Sequence, residues 1–349
     1  MKVSILSFTK ETNFGANLQC YALCKTLQSM GHEINIIDLQ LKRYKMPWYS
    51  VVLRLPMVYL FIKFRKQHLN YFTRRFKNIE DLRQNCPKSD LFIVGSDQVW
   101  NPDVTKRLDP LIYFFSFLPK GVRRISYAAS FGTADWRFPE LTEKVKQMLL
   151  QFDAVSVREE SGVVICKEVF DIEANVVLDP TLLLSSYDDI CGEYNSTRET
   201  NELVYYTFVH DQMVQKVLAN FAKDHSLKAV VLRSNRKYPG FTRKMYVSVA
   251  GWLNSIRYSK LVVTTSFHCM VFCIMFHKKF VIVPGKTDRS TRHKSLLEKI
   301  GLSDCYCDDV NELYKKLDLV YNSQVDYSII EKKINMLRED SMLFLKRFC

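Results

Sequence analysis

The stretch that decides the fold runs from residue 261 to residue 276 and has the sequence LVVTTSFHCMVFCIMF. It begins with an apolar, β-branched segment typical of a buried strand, and an apolar run of helical length follows a Thr-Thr-Ser turn. Ser266 in that turn can cap the helix by accepting a backbone N–H of its first turn. A buried strand followed by a buried helix is the unit from which parallel α/β sheets are built.

His268 falls in the first turn of this predicted helix. Unpaired backbone N–H groups and the helix macrodipole attract an anion to that position. One interpretation is a catalytic crevice that holds a histidine beside an anionic ligand. The other is a histidine with purely structural hydrogen bonds on a βα turn, and the stretch alone leaves both open.

The composition is that of a globular protein large enough for two domains. The chain has 349 residues, 47% of them hydrophobic and 25% charged, and a formal net charge of +13. This excess of positive charge predicts an anionic partner. The first eight residues predict a strand rather than a signal peptide, and no apolar run is long enough to span a bilayer. The ten cysteines are expected to be reduced core residues, and the expected location is cytoplasmic, at the inner face of the cell membrane.

Strands and helices alternate along the whole chain. The predicted strands are 2–8, 33–39, 91–95, 124–130, 154–158, 175–178, 203–209, 228–233, 261–265 and 280–284. The predicted helices include 17–30, 139–151, 211–224, 248–257 and 294–300. This order predicts an α/β fold with two Rossmann-like domains, residues 1–185 and 186–349, that face a cleft and are joined at a loop-rich stretch. Ligands of such sheets bind beyond the carboxyl ends of the strands.

Two polar turns follow predicted strands of the first domain. Asn13 and Gly15 lie in the first βα turn, where they either let a ligand approach the helix or form a tight turn with glycine at positive φ. The sequence Gly-Ser-Asp-Gln at 95–98 ends another strand and supplies a hydroxyl, a carboxylate and an amide suited to sugar hydroxyls. Trp100 is expected to stack on a sugar face, and the alternative for Asp97 is a simple cap.

Residues 41–79 form a segment of unusual composition, which we interpret as an insertion between strands. It holds ten Lys or Arg residues, nine aromatic residues and no Asp or Glu. Such a composition suits an anionic membrane surface or, alternatively, stacking on nucleic acid. The apolar residues at 51–53 and 55–62 favour peripheral membrane contact over nucleic acid. A solvated helical pair packed on the first domain is the structural alternative.

Five stretches occur in an order that resembles the polysaccharide pyruvyl transferase family. They are NFGANLQ (13–19), GSDQVWN (95–101), SVRE (156–159), LDPT (178–181) and SFH (266–268). The resemblance spans almost the whole chain and implies a fold similar to the glycosyltransferase B type. It also implies transfer of pyruvate from phosphoenolpyruvate, as co-substrate, onto two hydroxyls of a sugar. No cofactor is expected, and no cluster of carboxylates in the sequence calls for a metal. The product is a cyclic ketal on a cell-surface polysaccharide unit or its lipid-linked precursor.

The histidine motif departs from the family pattern. Some members have Arg-Leu-His-Gly and others Ser-Phe-His-Gly, whereas this chain has Ser-Phe-His-Cys at 266–269.

Phosphoenolpyruvate carries a carboxylate and a phosphate, so its site needs fixed cations. The basic segment 286–294 follows a predicted strand on the same rim as His268, and its alternative interpretation is a solvated loop. The predicted donor-binding residues are Ser266, Arg289, Arg292, Lys294 and Arg158; Arg158 has a surface ion pair as its alternative.

Ketal formation needs an acid to protonate the enol methylene and a base for the attacking hydroxyl. We predict His268 and Asp97 as the catalytic residues. The predicted acceptor-binding residues are Asn13, Gly15, Ser96, Gln98 and Trp100.

Two other functions remain compatible with the sequence. Paired Rossmann-like domains would serve equally well in a glycosyltransferase that uses a nucleotide sugar. A non-catalytic membrane- or nucleic-acid-binding protein would use the positive charge alone, but it would not need polar groups organised at strand ends.

Overall fold

The computed structural model describes residues 1–9, 12–39, 48–105, 109–285 and 290–349. Its contacts divide the chain into two compact units. The first unit comprises Met1–Val52, Arg65–Leu184 and Asn335–Cys349, and the second comprises Leu53–Phe64 and Ser185–Ile334.

The first unit contains a five-stranded parallel sheet and a smaller pair of strands. Its strands are β1 (Lys2–Leu6), β2 (Glu33–Leu39), β3 (Phe72–Phe76), β4 (Leu91–Val94), β5 (Arg124–Ser126), β6 (Ser156–Val157) and β7 (Asn175–Val176). The main sheet has the order β3-β2-β1-β4-β5, and β6 pairs with β7. The helices along this part of the chain are α1 (Phe14–Ser29), α2 (Trp48–His68), α3 (Ile79–Asn85), α4 (Pro102–Thr105), α5 (Thr142–Leu149) and α6 (Glu160–Phe170).

The second unit repeats this architecture. Its strands are β8 (Glu202–Tyr206), β9 (Lys228–Leu232), β10 (Thr242–Lys244), β11 (Leu261–Thr264) and β12 (Phe280–Ile282). They form a parallel sheet of order β10-β9-β8-β11-β12. The helices are α7 (Asp188–Cys191), α8 (Gln212–Asp224), α9 (Val249–Arg257), α10 (Phe267–Met275), α11 (Thr291–Ile300), α12 (Leu313–Asn322) and α13 (Tyr327–Phe348), the last of which ends in the first unit.

Apolar side chains explain why each sheet is buried on both faces. All four residues of β4 and all four residues of β11 are buried. In each sheet the strand order reverses between two adjacent strands. These are β1 and β4 in the first unit and β8 and β11 in the second. Ligands of doubly wound sheets bind at this switch point, beyond the carboxyl ends of the strands. The predicted fold class is therefore confirmed.

The interpretation of residues 41–79 as an insertion was wrong. The described part of this segment contains α2, which connects β2 to β3, and β3 itself, which pairs with β2 at the sheet edge. Its two exposed arginines are adjacent, so β3 lacks both the apolar run of a central strand and a regular alternation, and the sequence did not predict it. In the described part of 41–79, β3 therefore belongs to the first sheet and α2 lies between β2 and β3, with Leu53–Phe64 assigned to the second unit.

The units differ from the predicted domains at the C-terminus. The main junction falls between residues 184 and 185, but Asn335–Cys349 belong to the first unit. There, Ser341 Oγ accepts the Leu178 N–H at 2.9 Å, and Arg338 Nε donates to the Leu182 carbonyl at 2.7 Å. These contacts join residues more than 150 positions apart, so no local pattern predicts them.

Eight of the ten cysteines are buried, as expected, and all ten are free thiols. Burial raises the pKa of Cys166 and of Cys305 to about 12. Across the described ranges, no helix is both long enough and apolar enough to cross a membrane.

Candidate active site

The switch point of the second sheet is lined by hydroxyl side chains. Thr207 follows β8 and Thr265 follows β11, and their Oγ1 atoms lie 3.3 Å apart. The Phe208 N–H donates to Thr265 Oγ1, and the Ser266 N–H donates to Thr264 Oγ1 at 3.0 Å. These bonds fix the backbone at the ends of both strands. Sequence reasoning missed Thr207, whose only signal was a hydroxyl placed directly after an apolar strand.

His268 occupies the first turn of α10, as predicted. Ser266 is the N-cap, and its Oγ accepts the Cys269 N–H at 3.4 Å. The helix is buried along eight of its nine residues, and His268 itself is 7% exposed. A packed helix of this kind holds the imidazole in one place at the end that attracts anions.

Arg292 is the predicted cation that the structure brings to this turn. It lies in the first turn of α11, with its guanidinium carbon 5.9 Å from the centre of the Phe267 ring. His293 lies on the same ring at 5.9 Å and is 5% exposed. His293 belongs to the basic segment 286–294, but no role was predicted for it from the sequence.

The other two predicted donor-binding residues of the basic segment 286–294 are Lys294 and Arg289. Lys294 forms an ion pair with Asp308, at 2.6 Å between Nζ and Oδ1, and lies over the Tyr306 ring. Arg289 lies outside the described residues.

Arg233 is a further cation at the carboxyl edge of this sheet, and sequence reasoning missed it. It follows β9 directly and has a left-handed backbone with φ of 57°. Burial raises the pKa of Tyr206, at the end of β8, to about 12, and the neighbouring Arg233 opposes that shift. The available signal was a cation at the last position of the predicted strand 228–233.

The switch point of the first unit is formed by the ends of β1 and β4. Gly95 is required here because a Cβ at this position would lie 2.9 Å from Ser7 Cβ. Gly95 thus allows the chain after β4 to approach the chain after β1 closely. Asn13 caps α1 by accepting the Ala16 N–H at 3.3 Å. Gly15 lies in the first turn of α1 and is not among the described glycines with positive φ, so the tight-turn alternative was wrong.

Two predicted acceptor-binding side chains face inward. Ser96 is fully buried, and its Oγ donates to Asp179 Oδ2 at 2.9 Å. Gln98 is 6% exposed and accepts a hydrogen bond from Asn101 Nδ2. Asp97 is the more exposed member of this turn, with a side chain that is 14% exposed and a backbone φ of 80°. Asp97 is therefore the most exposed of the three polar side chains of this turn.

Arg158 lies in a buried cluster of charges. Its side chain is 1% exposed, and Nη1 lies 2.9 Å from Asp179 Oδ2. Nε lies 3.6 Å from Glu159 Oε2, and Nη2 lies 3.7 Å from Asp97 Oδ1. Burial alone would lower the pKa of the guanidinium, but Asp179, Glu159 and Asp97 raise it above its ordinary value.

This cluster joins several strand ends of the first unit. Ser130 Oγ donates to Glu159 Oε1 at 2.5 Å, and Thr181 donates to Asp179 Oδ1 from both its backbone N–H and its hydroxyl. The surface ion pair considered for Arg158 was therefore wrong, because tertiary packing encloses the pair. Carboxylates surround the guanidinium, so these contacts give Arg158 a structural role.

Trp100 does not stack on a sugar, and that prediction was wrong. The side chain is fully buried, with its ring stacked on Phe114 at 5.2 Å and tilted against Phe131 at 5.3 Å. Its Nε1 donates to the Tyr113 carbonyl at 3.0 Å. Trp100 thus fills the core beneath the turn that carries Asp97.

Replacing Trp100 with Phe should lower the free energy of unfolding by about 1–3 kcal/mol, because the buried Tyr113 carbonyl loses its donor. Acceptor binding should be unchanged. Urea unfolding followed by circular dichroism measures the first effect. A stable variant with weakened sugar binding would contradict the core assignment.

The model of the family described as polysaccharide pyruvyl transferase matches residues 13–286, which is more than half of the chain. The chain belongs to the polysaccharide pyruvyl transferase family. The family resemblance inferred from the five motifs is thereby confirmed. No curated protein sequence matches this pyruvyl transferase family member.

Solved structures resemble this pyruvyl transferase family member over nearly its whole length. UDP-GlcNAc 2-epimerase from Methanocaldococcus jannaschii has a TM-score of 0.57 at 10% identity, covering 97% of this chain and 100% of that chain. Arabidopsis thaliana UGT89C1 has a TM-score of 0.52 at 11% identity, covering 98% and 94%. An alpha-glucosyltransferase in complex with UDP and DNA has a TM-score of 0.52 at 9% identity, covering 98% and 95%. At such low identity these similarities show the fold alone, which is of the glycosyltransferase B type.

Proposed function

We propose that this family member transfers pyruvate from phosphoenolpyruvate to two hydroxyls of a sugar, forming a cyclic ketal and releasing phosphate. The observation that carries the proposal is the turn after β11, where Ser266 caps α10, His268 occupies its first turn and Arg292 lies beside Phe267. A helix N-terminus with a nearby guanidinium suits a ligand that bears a carboxylate and a phosphate.

The reaction needs proton transfer but no oxidation. The enol methylene gains a proton and becomes a methyl group, while one sugar oxygen bonds to the adjacent carbon. The second sugar oxygen then displaces phosphate from the same carbon. The enol π bond, two O–H bonds and the C–O bond to phosphate are broken; one hydroxyl proton balances the proton taken up by the methylene, and the other leaves with phosphate. His268 supplies the proton to the methylene in this scheme, because imidazole can give or take a proton near neutral pH.

The proposed acceptor is a sugar of a cell-surface polysaccharide unit or of its lipid-linked precursor. Asn13 and Asp97 stay as the predicted acceptor contacts of the first unit, and Asp97 also stays as the second predicted catalytic residue. Ser96 and Trp100 are left out of this proposal because their side chains are fully buried, whereas Gln98 stays in it as a predicted acceptor contact. In the second unit, Ser266, Arg233 and Arg292 are the proposed donor contacts.

Arg292→Ala should remove most of the thermal stabilisation that phosphoenolpyruvate gives. A ligand at about a hundred times its dissociation constant stabilises a fold by roughly 2.7 kcal/mol, which a thermal melt detects readily. Loss of the guanidinium removes a charged contact to the donor. The matched control is Arg198→Ala, since Arg198 also lies over an aromatic ring, that of Tyr258 at 4.7 Å, but precedes β8 at the opposite edge of the sheet.

The same melts distinguish pyruvyl transfer from sugar transfer. Stabilisation by phosphoenolpyruvate and not by UDP-sugars, lost in Arg292→Ala and kept in Arg198→Ala, would support the proposal. Stabilisation by UDP-sugars alone would contradict it and favour a glycosyltransferase.

A further inference from the structure

Helix α2 has an apolar face on each side. Met57, Phe61 and Phe64 are spaced at helical intervals and are 6%, 0% and 5% exposed, so they form the inner face. A helix at the surface of a globular protein usually carries polar residues opposite such a face. In α2 the opposite side is apolar as well.

The outer stripe is the name we give to five residues of α2 at alternating spacings of four and three. They are Trp48, Val52, Leu55, Tyr59 and Ile62. This spacing aligns them along one side of a helix. Their exposed fractions are 78%, 52%, 55%, 65% and 41%, and Val51 beside them is 43% exposed. A continuous apolar strip of this length on the surface indicates an interaction site.

The charged residues of α2 itself all have the same sign. Arg54, Lys63 and Lys66 are exposed, and within the described part of the chain none of them has an ion pair. The whole stretch 41–79 contains no Asp or Glu that could oppose them.

Not every cation of that stretch is available to a partner. Arg65 is buried and donates to the Thr9 carbonyl and to Asn17 Oδ1. Arg74 pairs with Asp81 at 2.6 Å, and Arg75 pairs with Asp38 at 3.5 Å. Among the cations of α2 that the structure describes, Arg54, Lys63 and Lys66 are therefore the ones exposed to a partner.

We propose that α2 docks along an anionic lipid surface through the outer stripe. The aliphatic side chains enter the boundary between headgroups and acyl chains, while Trp48 and Tyr59 lie at the headgroup level. Arg54, Lys63 and Lys66 then meet lipid phosphates. Each basic residue near an anionic membrane strengthens binding by about fivefold, which corresponds to about 1 kcal/mol.

Charge and composition favour a lipid surface over two other partners. A second copy of the chain, packed α2 against α2, would bring the same cations together with no acidic residue on the helix to offset them. A nucleic acid offers bases for aromatic stacking and phosphates for cations. A nucleic acid has no apolar surface to bury the aliphatic residues Val52, Leu55 and Ile62, which make up most of the outer stripe.

Cosedimentation of the full chain with vesicles tests the proposal. Vesicles of equal parts phosphatidylcholine and phosphatidylglycerol should bind the protein, and pure phosphatidylcholine should bind it much more weakly. Leu55→Gln should weaken binding about tenfold, because an apolar contact with the acyl region is lost. Leu319→Gln is the matched control, since Leu319 on α12 is also 55% exposed. Lys63→Gln with Lys66→Gln should weaken binding about 25-fold, whereas Lys216→Gln with Lys223→Gln on α8 should not.

Tryptophan quenching gives a second readout of the docked helix. Of the four tryptophans, Trp100 and Trp252 are fully buried and Trp136 is half-buried against Phe131 and Phe170, while Trp48 is 78% exposed. Brominated lipids in the anionic vesicles should therefore quench wild-type fluorescence, and Trp48→Phe should remove most of that quenching. All substituted positions are exposed, so melts in the absence of lipid should be unchanged.

Three results would overturn the proposal. The first is equal vesicle binding by Leu55→Gln and Leu319→Gln. The second is a lipid-free dimer that dissociates in Leu55→Gln, which would assign the outer stripe to a second copy. The third is binding to single-stranded nucleic acid without binding to anionic vesicles.

Discussion

His268→Gln should lower kcat for ketal formation by about 100- to 10,000-fold while leaving phosphoenolpyruvate binding largely intact. This range is the usual contribution of a positioned acid or base. Gln keeps a hydrogen-bonding side chain in the first turn of α10 but cannot transfer a proton. Phosphate release in the presence of acceptor measures turnover, and thermal stabilisation by phosphoenolpyruvate measures binding.

A second histidine of the same unit provides the control for this experiment. His225 is the C-cap residue of α8, where it stacks on Phe221 and lies 3.5 Å from Asp318 of α12. His225→Gln should keep full turnover. If His268→Gln also keeps full turnover, His268 has no part in the mechanism. If it loses both turnover and phosphoenolpyruvate binding, its role is in binding the donor rather than in proton transfer.

Arg158→Met should lower the free energy of unfolding by about 3–5 kcal/mol. Removing one partner of a buried ion pair leaves its counter-charges buried without compensation. Here Asp179 and Glu159, with side chains that are 0% and 1% exposed, would lose the guanidinium between them. Urea unfolding of the purified variant measures the change.

Lys167→Met is the matched control for Arg158→Met. Lys167 pairs with Glu173 at 2.7 Å, but the two side chains are 51% and 86% exposed. Exposed pairs contribute about 0–1 kcal/mol, so this variant should be almost as stable as the wild type. Equal stability of the two variants would contradict the structural role of Arg158. A stable Arg158→Met that no longer responds to phosphoenolpyruvate would restore its predicted role as a donor contact.

Local sequence patterns predicted the inner strands of both sheets. The predicted strand 33–39 matches β2, and predicted strands 261–265 and 228–233 match β11 and β9 to within one residue. These predictions succeeded because buried parallel strands are short apolar runs bounded by turns and helices. Edge strands such as β3 and β10 were missed, since exposed polar residues interrupt their runs.

The N-terminal end of α10 was also determined locally. A hydroxyl at the cap and a histidine in the first turn depend on neighbours within four residues, so the sequence alone predicts their geometry. The family is likewise a property of the sequence, because five ordered motifs carry it.

Tertiary packing alone decided which polar residues are available to a ligand. Ser96, Gln98 and Trp100 occupy the same turn as Asp97, yet all three are buried beneath it. Arg158 directly follows β6, which is a position typical of ligand-binding residues. The carboxylates of residues 97, 159 and 179 nevertheless enclose it. A sequence records which groups follow a strand, and only contacts between distant segments determine whether those groups face the interior or the solvent.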